Sequence, residues 1–519
     1  MAILVGATAL AAAMALTVPP AALREPRRHR RQSVTASLTT DPTLAGPSTA
    51  AKEIEYNWRD QWYAVGFLED MPASTADAPY AYSVFDEPLV LWHDGEALQC
   101  VADRCPHRLA ALSEGAVEPD GSLRCFYHGW AFAGSGKCTA LPQLPSGARI
   151  PRAACVAPHE LRVREGIVWV WMGGGGAAPP FEPPCSPDDL DANVADFQVY
   201  DFTYELPYDH SYLVENLADP AHIPISHDRT PGGGKRENAE AYVMEVDGDS
   251  ISARGWRGRL RPESKPDEPE AWQELLFDAP GIVRYRSRPR SKIFGAALHC
   301  MPRGEGRSRL LFRTYFSKNL LPAPARLLLG LKPRWARHLN SCKILEQDVA
   351  LITSQEDHLA RTGKTFAEEG LVTLRSSDAF VLAYRQWLDA VGHGMPWAVG
   401  WRTATPLARP RAEVPHVSLP GHRAGLSRLE RHVRLSKCSQ KALRRASATR
   451  KVAHVLLVCL VAAAYPLAGV PLTQKTRCLA AVATLGAGAV AAGAAAVQRA
   501  FKENFVRHPV RSLSDSLYP

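Results

Sequence analysis

The sequence predicts an α+β fold that ends in an apolar two-helix hairpin, and three observations predict it. Short β-rich runs between Gly, Pro and Asp turns occupy residues 56–173, among them Tyr82-Ser-Val-Phe85, Leu89-Val-Leu-Trp92 and Ile167-Val-Trp-Val-Trp-Met172. Strand-like and helical segments then mix as far as residue 400 or so, as an α+β domain requires. Finally, the uncharged stretches 452–472 and 478–497 each approach the ~20 residues needed to cross a bilayer.

At 519 residues the chain exceeds one ordinary domain, and 46% hydrophobic with 22% charged residues suits a large core plus membrane segments. Eleven cysteines lie between Cys100 and Cys478 without framework spacing, which argues against a disulfide-stapled secreted fold. Much of the net charge of +8 sits in the leader and before the hairpin, with no basic patch interleaved with aromatics, so no nucleic-acid partner is expected.

Residues 1–50 hold only Glu25 and Asp41 as acids against Arg24, Arg27, Arg28, Arg30 and Arg31, and end in a Ser/Thr/Pro-rich run. That composition reads as an organelle transit peptide. The apolar run 2–18 could alternatively serve as a secretory core, alone or in a bipartite leader, although it lacks a positive flank.

Residues 51–185 form the expected antiparallel β domain, with its chemistry in two strings. Cys105-Pro106-His107 is followed, after a gap of seventeen residues, by Cys125-Phe126-Tyr127-His128. Two thiolates and two imidazoles are the ligand set of a Rieske [2Fe–2S] cluster. A structural zinc site uses the same four ligand types, but zinc motifs usually pair Cys with Cys and His with His. Leu109, Ala110, Phe126 and Tyr127 stand where respiratory Rieske proteins add bracing cysteines, which favours the oxygenase and ferredoxin type. Both ligand loops are expected at hairpin tips, with Phe126, Tyr127 and Trp130 shielding the cluster. Gly173–Gly176 with Pro179, Pro180, Pro183 and Pro184 suggests a linker.

Residues 186–420 contain the candidate second centre. In Asn216-Leu-Ala-Asp219-Pro-Ala-His222-Ile-Pro-Ile-Ser-His227, two histidines five apart can supply the imidazoles of a 2-His-1-carboxylate iron site with open positions for O₂ and substrate. The third ligand should come from a distant element. Asp348 is the choice within the acid-rich helical segment 343–357, with Glu346, Glu356 and Asp357 read as solvated helix-face charges. Asp219 reads as a second acid beside the iron or as a turn residue before Pro220, and Asn216 as a further donor or a capping residue. Segments 230–235 and 264–270 read as mobile surface loops.

A basic segment, 421–451, precedes the hairpin 452–497, and residues 498–519 form a tail. Residues 473–477 are expected to turn between the helices, so both ends lie on one side. Arg444, Arg445, Arg450 and Lys451 before the hairpin, and Arg499, Lys502 and Arg507 after it, outnumber Lys475 and Arg477 between its helices.

From Trp58 onward, NWRDQWYAVG, DRCPHRLAALSEG, CFYHGWAF, GKCTALPQLP, ENLADPAHIPISHDRT, LEQDVALITSQ and LRSSDAF resemble the plastid Rieske non-haem iron oxygenases. That family includes pheophorbide a oxygenase, chlorophyllide a oxygenase and the Rieske subunit of the inner-envelope Tic translocon; SHDRT, KREN and YRQWLDAVGHGMPW are most similar to the last. The resemblance implies a helix-grip-like catalytic domain, a cluster on Cys105, His107, Cys125 and His128, and mononuclear Fe(II) on His222, His227 and Asp348. It also makes Asp219 an acid bridging to a cluster histidine across a subunit boundary.

The implied reaction uses O₂ and reduced ferredoxin to oxygenate or hydroxylate a chlorophyll-derived tetrapyrrole, in the manner of pheophorbide a oxygenase or a phyllobilin hydroxylase. The alternative is a non-catalytic or redox-sensing translocon component. A homotrimer in a chloroplast membrane, inner envelope or thylakoid, with its catalytic part in the stroma and translocon contacts possible, completes the implied picture. One departure stands out: the family's C-terminal Cys-x-x-Cys is reduced here to Cys438 alone, which puts thiol switching at that place in doubt.

Overall fold

A computed structural model describes residues 53–174, 179–193, 195–287, 292–404, 427–464 and 473–503. The leader 1–50, residues 175–178 of the linker, the hairpin connection and the tail beyond 503 lie outside the described residues.

The first unit contains three small antiparallel sheets. Strands β1 (Trp62–Phe67), β2 (Tyr80–Val84), β3 (Glu87–His93), β4 (Leu98–Ala102), β5 (Ala116–Val117), β6 (Leu123–Arg124), β7 (Ala131–Phe132), β8 (Cys138–Ala140), β9 (Leu161–Arg164) and β10 (Ile167–Trp171) are ordered β1-β10-β9, β2-β3-β4 and β5-β6-β7-β8. Strands β1 and β10 are buried along their whole length, because one face meets this unit and the other the second sheet. The loop after β6 is a hairpin tip, as expected. The Cys105 loop is not: it crosses from β4 to β5 in another sheet.

The second unit is built on seven antiparallel strands: β11 (Phe197–Leu206), β12 (Tyr242–Ser252), β13 (Gly255–Pro262), β14 (Gln273–Asp278), β15 (Ile282–Ser287), β16 (Phe294–Gly304) and β17 (Arg307–Ser317). Strands β12 to β17 meander in sequence order and β11 closes the sheet beside β17, leaving a long excursion between β11 and β12. Helices α1 (His210–Ala218) and α2 (Ile223–Ser226) lie in that excursion. After β17 come α3 (Ala323–Leu331), the 29-residue α4 (Arg334–Thr362), α5 (Phe366–Glu369) and α6 (Ala379–Val391). Gly363, with φ 66°, ends α4 in the left-handed conformation that glycine adopts without a Cβ penalty. One continuous apolar core joins β1, β10, β16, α1, α4 and α6.

The C-terminal part starts with α7 (Arg428–Arg431), then α8 (Lys437–Ala464) and α9 (Gln474–Lys502), which pack together. Both are long and apolar enough to cross a membrane. Val455, Val458, Val461, Leu479, Val482 and Leu485 are all more than half exposed, so the helices are not core helices of the soluble part. The expected turn at 473–477 is corrected. Thr473 caps α9 by accepting from the Thr476 amide at 3.3 Å, so residues 474–477 are already helical. The expected first span also includes Pro466 and Pro471, whereas the described part of α8 ends at Ala464.

The hairpin foot is tied to the soluble part. The Lys437 amide donates to Asp70 Oδ1 at 2.7 Å, Phe501 packs on Trp335 with ring centroids 5.7 Å apart, and Arg428 bridges Glu346 and the Ala500 carbonyl.

Candidate metal centres

The first centre is two turns of the same design. The Cys105 amide donates to the Ala110 carbonyl and the Leu109 amide to the Cys105 carbonyl, both at 2.8 Å; Cys125 donates to Trp130 at 2.8 Å and Gly129 to Cys125 at 2.9 Å. Each turn needs a left-handed residue four positions after its cysteine, and Leu109 (φ 61°) and Gly129 (φ 77°) provide it. Both cysteines are 2% exposed and belong to a separate small core with Val90, Trp92 and Phe132. The two imidazoles stand 4.3 Å apart between centroids, and His107 lies flat on Trp130 at 4.7 Å with the planes 5° apart.

These residues fit an iron–sulfur cluster. His107 Nδ1 is buried without a hydrogen-bond partner, as a ligand nitrogen should be before its metal is counted. Burial, reinforced by the nearby Cys125, pushes the Cys105 thiol up to about 11, an environment that a cationic centre relieves. Trp130 shields the site as expected. Phe126 and Tyr127 instead stand 62% and 60% exposed beside it, with Leu109 at 64%, and form an apolar surface around the histidines.

The second centre forms where α1, α2 and α4 meet. Asp219 closes α1 and Pro220 prevents its continuation. The single turn of α2 then places His222 at its N-cap and His227 at its C-cap, with ring centroids 5.4 Å apart. Asp348, in the middle of α4, faces both: its Oδ2 lies 3.2 Å from His227 Nε2 and 3.7 Å from His222 Nε2. The three ligand atoms fall within 4.8 Å of one another.

The outer nitrogens differ: His227 Nδ1 has a hydrogen-bond partner, whereas His222 Nδ1 has none and lies only within ion-pair distance of a carboxylate. His227 Nδ1 lies 2.8 Å from Gln347 Oε1, and Gln347 Nε2 donates to Thr230 Oγ1 at 3.0 Å. Because that amide oxygen can only accept, Nδ1 donates to it, and Nε2, the nitrogen that faces Asp348, is the one placed to ligate. Asp219 Oδ2 lies 3.4 Å from His222 Nδ1, while its Oδ1 accepts from the Ala221 amide at 2.7 Å. Asp219 is therefore a turn residue and an imidazole partner at once. Burial opposes charge on His222, but Asp219 and Asp348 outweigh it and push its pKa up to about 9. Such an anionic pocket favours a cation, so this donor set fits a divalent metal. Asn216 and Asp219 line the adjoining cavity of about 70 Å³, walled by Leu298, Leu310 and Ile344.

Two expectations are corrected. Glu346 and Glu356 are buried, because α4 is covered on more than one side. Glu346 accepts from Arg428 Nε at 2.7 Å and from the Tyr204 hydroxyl at 2.8 Å; Glu356 accepts from the Asp209 amide at 3.2 Å. Segment 230–235 is not a free loop either. Thr230 is buried on Gln347, and a Cβ on Gly233 would stand 2.0 Å from the His227 carbonyl oxygen. Gln347 is the functional residue that sequence reading missed; its only signal is adjacency to Asp348.

Known proteins agree with this arrangement. The Rieske [2Fe-2S] domain family matches residues 61–157, and the pheophorbide a oxygenase family matches residues 277–365. The chain is 40% identical to Protein TIC 55 of Arabidopsis thaliana over 72% of this chain and 69% of that one. It is 29% identical to pheophorbide a oxygenase of Oryza sativa over 90% of this chain and 88% of that one. The chain belongs to the plastid Rieske oxygenase family. The oxygenase thus carries a Rieske [2Fe–2S] cluster, and its reaction calls for O₂, an electron donor and an aromatic or tetrapyrrole substrate. Its fold is shared with dicamba monooxygenase bound to 3,6 dichlorosalicylic acid, at TM-score 0.50 and 20% identity over 64% of this chain and 97% of that one.

Proposed function

We propose that this oxygenase inserts oxygen from O₂ into a chlorophyll-derived tetrapyrrole, with reduced ferredoxin as the electron donor. The single observation that carries this reading is the convergence of His222, His227 and Asp348, with Asp219 and Gln347 behind the imidazoles, in a chain whose other centre is a Rieske domain.

Cys105, His107, Cys125 and His128 hold the cluster; His222, His227 and Asp348 hold Fe(II). When bound, the cluster supplies single electrons and the mononuclear iron supplies the place where dioxygen is reduced and used. Gln347 keeps the Nδ1 proton on His227, which fixes ring orientation and tautomer. Asp219 does the corresponding work at His222 and, at 25% side-chain exposure, remains accessible for bridging to a cluster histidine of a neighbouring subunit in a homotrimer. Leu298, Leu310 and Ile344 keep the reacting end apolar and dry. The exposed rim of Leu109, Phe126 and Tyr127 suits docking of ferredoxin or of the next subunit.

The hairpin anchors the enzyme in a chloroplast membrane, where a lipophilic pigment concentrates. The excess of Arg and Lys outside it favours a stromal catalytic part. Identity of 40% with TIC 55 favours a second reading, a component of the inner-envelope translocon whose fold matters more than its turnover.

Iron analysis separates the two. The oxygenase holds the two cluster irons and one more, and His222→Ala removes the third and all product while preserving the Rieske absorption. Unchanged product formation in His222→Ala, or a native protein with only the cluster irons, contradicts the oxygenase assignment.

A further inference from the structure

Residues 306–345 and 431–502 contain neither Asp nor Glu, although both stretches carry many Arg and Lys. The second holds the hairpin; the first holds α3 and the start of α4. The two meet where Trp335, in the first turn of α4, packs on Phe501 near the end of α9.

That contact fixes a level. The uncharged stretch of α9 ends at Val497, and Phe501 follows four residues later, about 6 Å along the helix. A headgroup layer is roughly 5–8 Å thick on each side of a hydrocarbon core of ~30 Å. Trp335 therefore stands at headgroup depth, where tryptophan is favoured. Arg450 marks the same level on α8, because it donates to Gln498 Oε1 of α9 at 2.9 Å.

Helix α3 is joined to this point by Lys332 and Pro333 alone. Its sequence, Ala-Pro-Ala-Arg-Leu-Leu-Leu-Gly-Leu, contains one charged residue, Arg326. A surface helix that meets only water and its own core should turn its leucines inward. Instead Leu327 and Leu331, one turn apart on one face, are 67% and 69% exposed, which matches Val458 of the hairpin. At about 13 Å the helix is far too short to cross a bilayer. A short apolar helix flanked by cations suits the membrane surface, with its leucines at the acyl boundary and its Arg and Lys among anionic headgroups.

We propose that α3 is a second membrane contact, lying in the bilayer surface beside the hairpin with Leu327 and Leu331 in the acyl boundary and Arg326 and Lys332 among the headgroups. This rests on the reading of α8 and α9 as membrane-spanning and goes beyond it. A hairpin alone leaves the soluble part free to tilt, whereas a second contact next to it holds one orientation. In that orientation Leu68 and Arg334, which border a cavity of about 570 Å³, stand next to the membrane surface.

The test uses the full-length holoenzyme in nanodiscs of phosphatidylglycerol and phosphatidylcholine. The photocrosslinker benzoylphenylalanine replaces Leu327, Leu331, Val458 of the hairpin or the exposed Glu270, and mass spectrometry counts lipid adducts after irradiation. Positions 327, 331 and 458 should each yield about tenfold or more adduct over the background at 270. Adducts at 458 with only background at 327 and 331 overturn the inference and leave the hairpin reading intact. Crosslinks from 327 and 331 to residues 405–426 or to a second copy of the chain, in place of lipid, do the same. Background yield at 327, 331 and 458 alike overturns the hairpin reading and the inference together. In a second measurement, Leu327→Glu combined with Leu331→Glu should lift α3 off the bilayer and raise amide hydrogen exchange across 323–331 about tenfold in the same nanodiscs. Retained Rieske absorption reports folding, and unchanged exchange in the folded variant contradicts the inference.

Discussion

The proposed Rieske ligands fall within the stretch from Cys105 to His128, on two equivalent turns with their imidazoles close to solvent. The His222–His227–Asp348 centre draws instead on residues 126 positions apart and sits between three helices and a sheet. On the proposed function, the difference follows from what each centre handles. An electron can be received at a surface, so the first centre needs only two buried thiols and an apolar rim. Oxygen chemistry needs water excluded and donors held in place, so the second is enclosed and each imidazole has a carboxylate or amide behind it.

If the centres are built independently, each should be removable without the other, and this is the largest effect expected. His227→Ala should lose the mononuclear iron and turnover while keeping the Rieske absorption. Cys125→Ala should lose the visible spectrum and turnover while metal analysis still finds iron at the second centre. Loss of both metals in either variant breaks the comparison.

A smaller effect tests the support behind the ligands. Gln347→Leu removes the acceptor 2.8 Å from His227 Nδ1 and should weaken Fe(II) binding by about 10–100-fold, read by titration into apoprotein, with the cluster unchanged.

Legibility in the sequence divides along the same line. The cluster ligands and the histidine pair stand in short strings, because a turn such as Cys105–Ala110 and the single helical turn 222–227 are local structures whose chemistry is spelled by neighbours. Asp348 required a choice among four acids on one helix, and periodicity cannot tell which face meets a site when α4 is covered on several. Glu346 and Glu356 were misread for that reason: their partners, Arg428 and the Asp209 amide, lie 82 and 147 residues away. Segment 230–235 has the composition of a mobile loop, yet its Gly233 serves close approach to His227. The fold class was visible in strand patterning; that the Cys105 loop crosses between sheets was not, since pairing across sheets leaves no local signal.

The pH dependence of metal binding sharpens the contrast further. His222, raised to about 9, must give up its proton to bind a metal, so apparent Fe(II) affinity should rise about tenfold per pH unit from 7 toward 9 and then level off. Calorimetric titration at several pH values measures this, and a flat profile contradicts the anionic pocket described for His222.

The smallest effect concerns shielding of the surface centre. Trp130→Ala uncovers the face of His107 and, by admitting water beside the cluster, should raise its reduction potential by on the order of tens of millivolts in a redox titration, with iron content unchanged.

The most direct measurement of the central claim follows the oxygen atom. Purified full-length enzyme, supplied with reduced ferredoxin and pheophorbide a under isotopically labelled O₂, should yield a tetrapyrrole product whose mass carries the label. A product labelled from water instead, or no product with both centres fully loaded, would contradict the account.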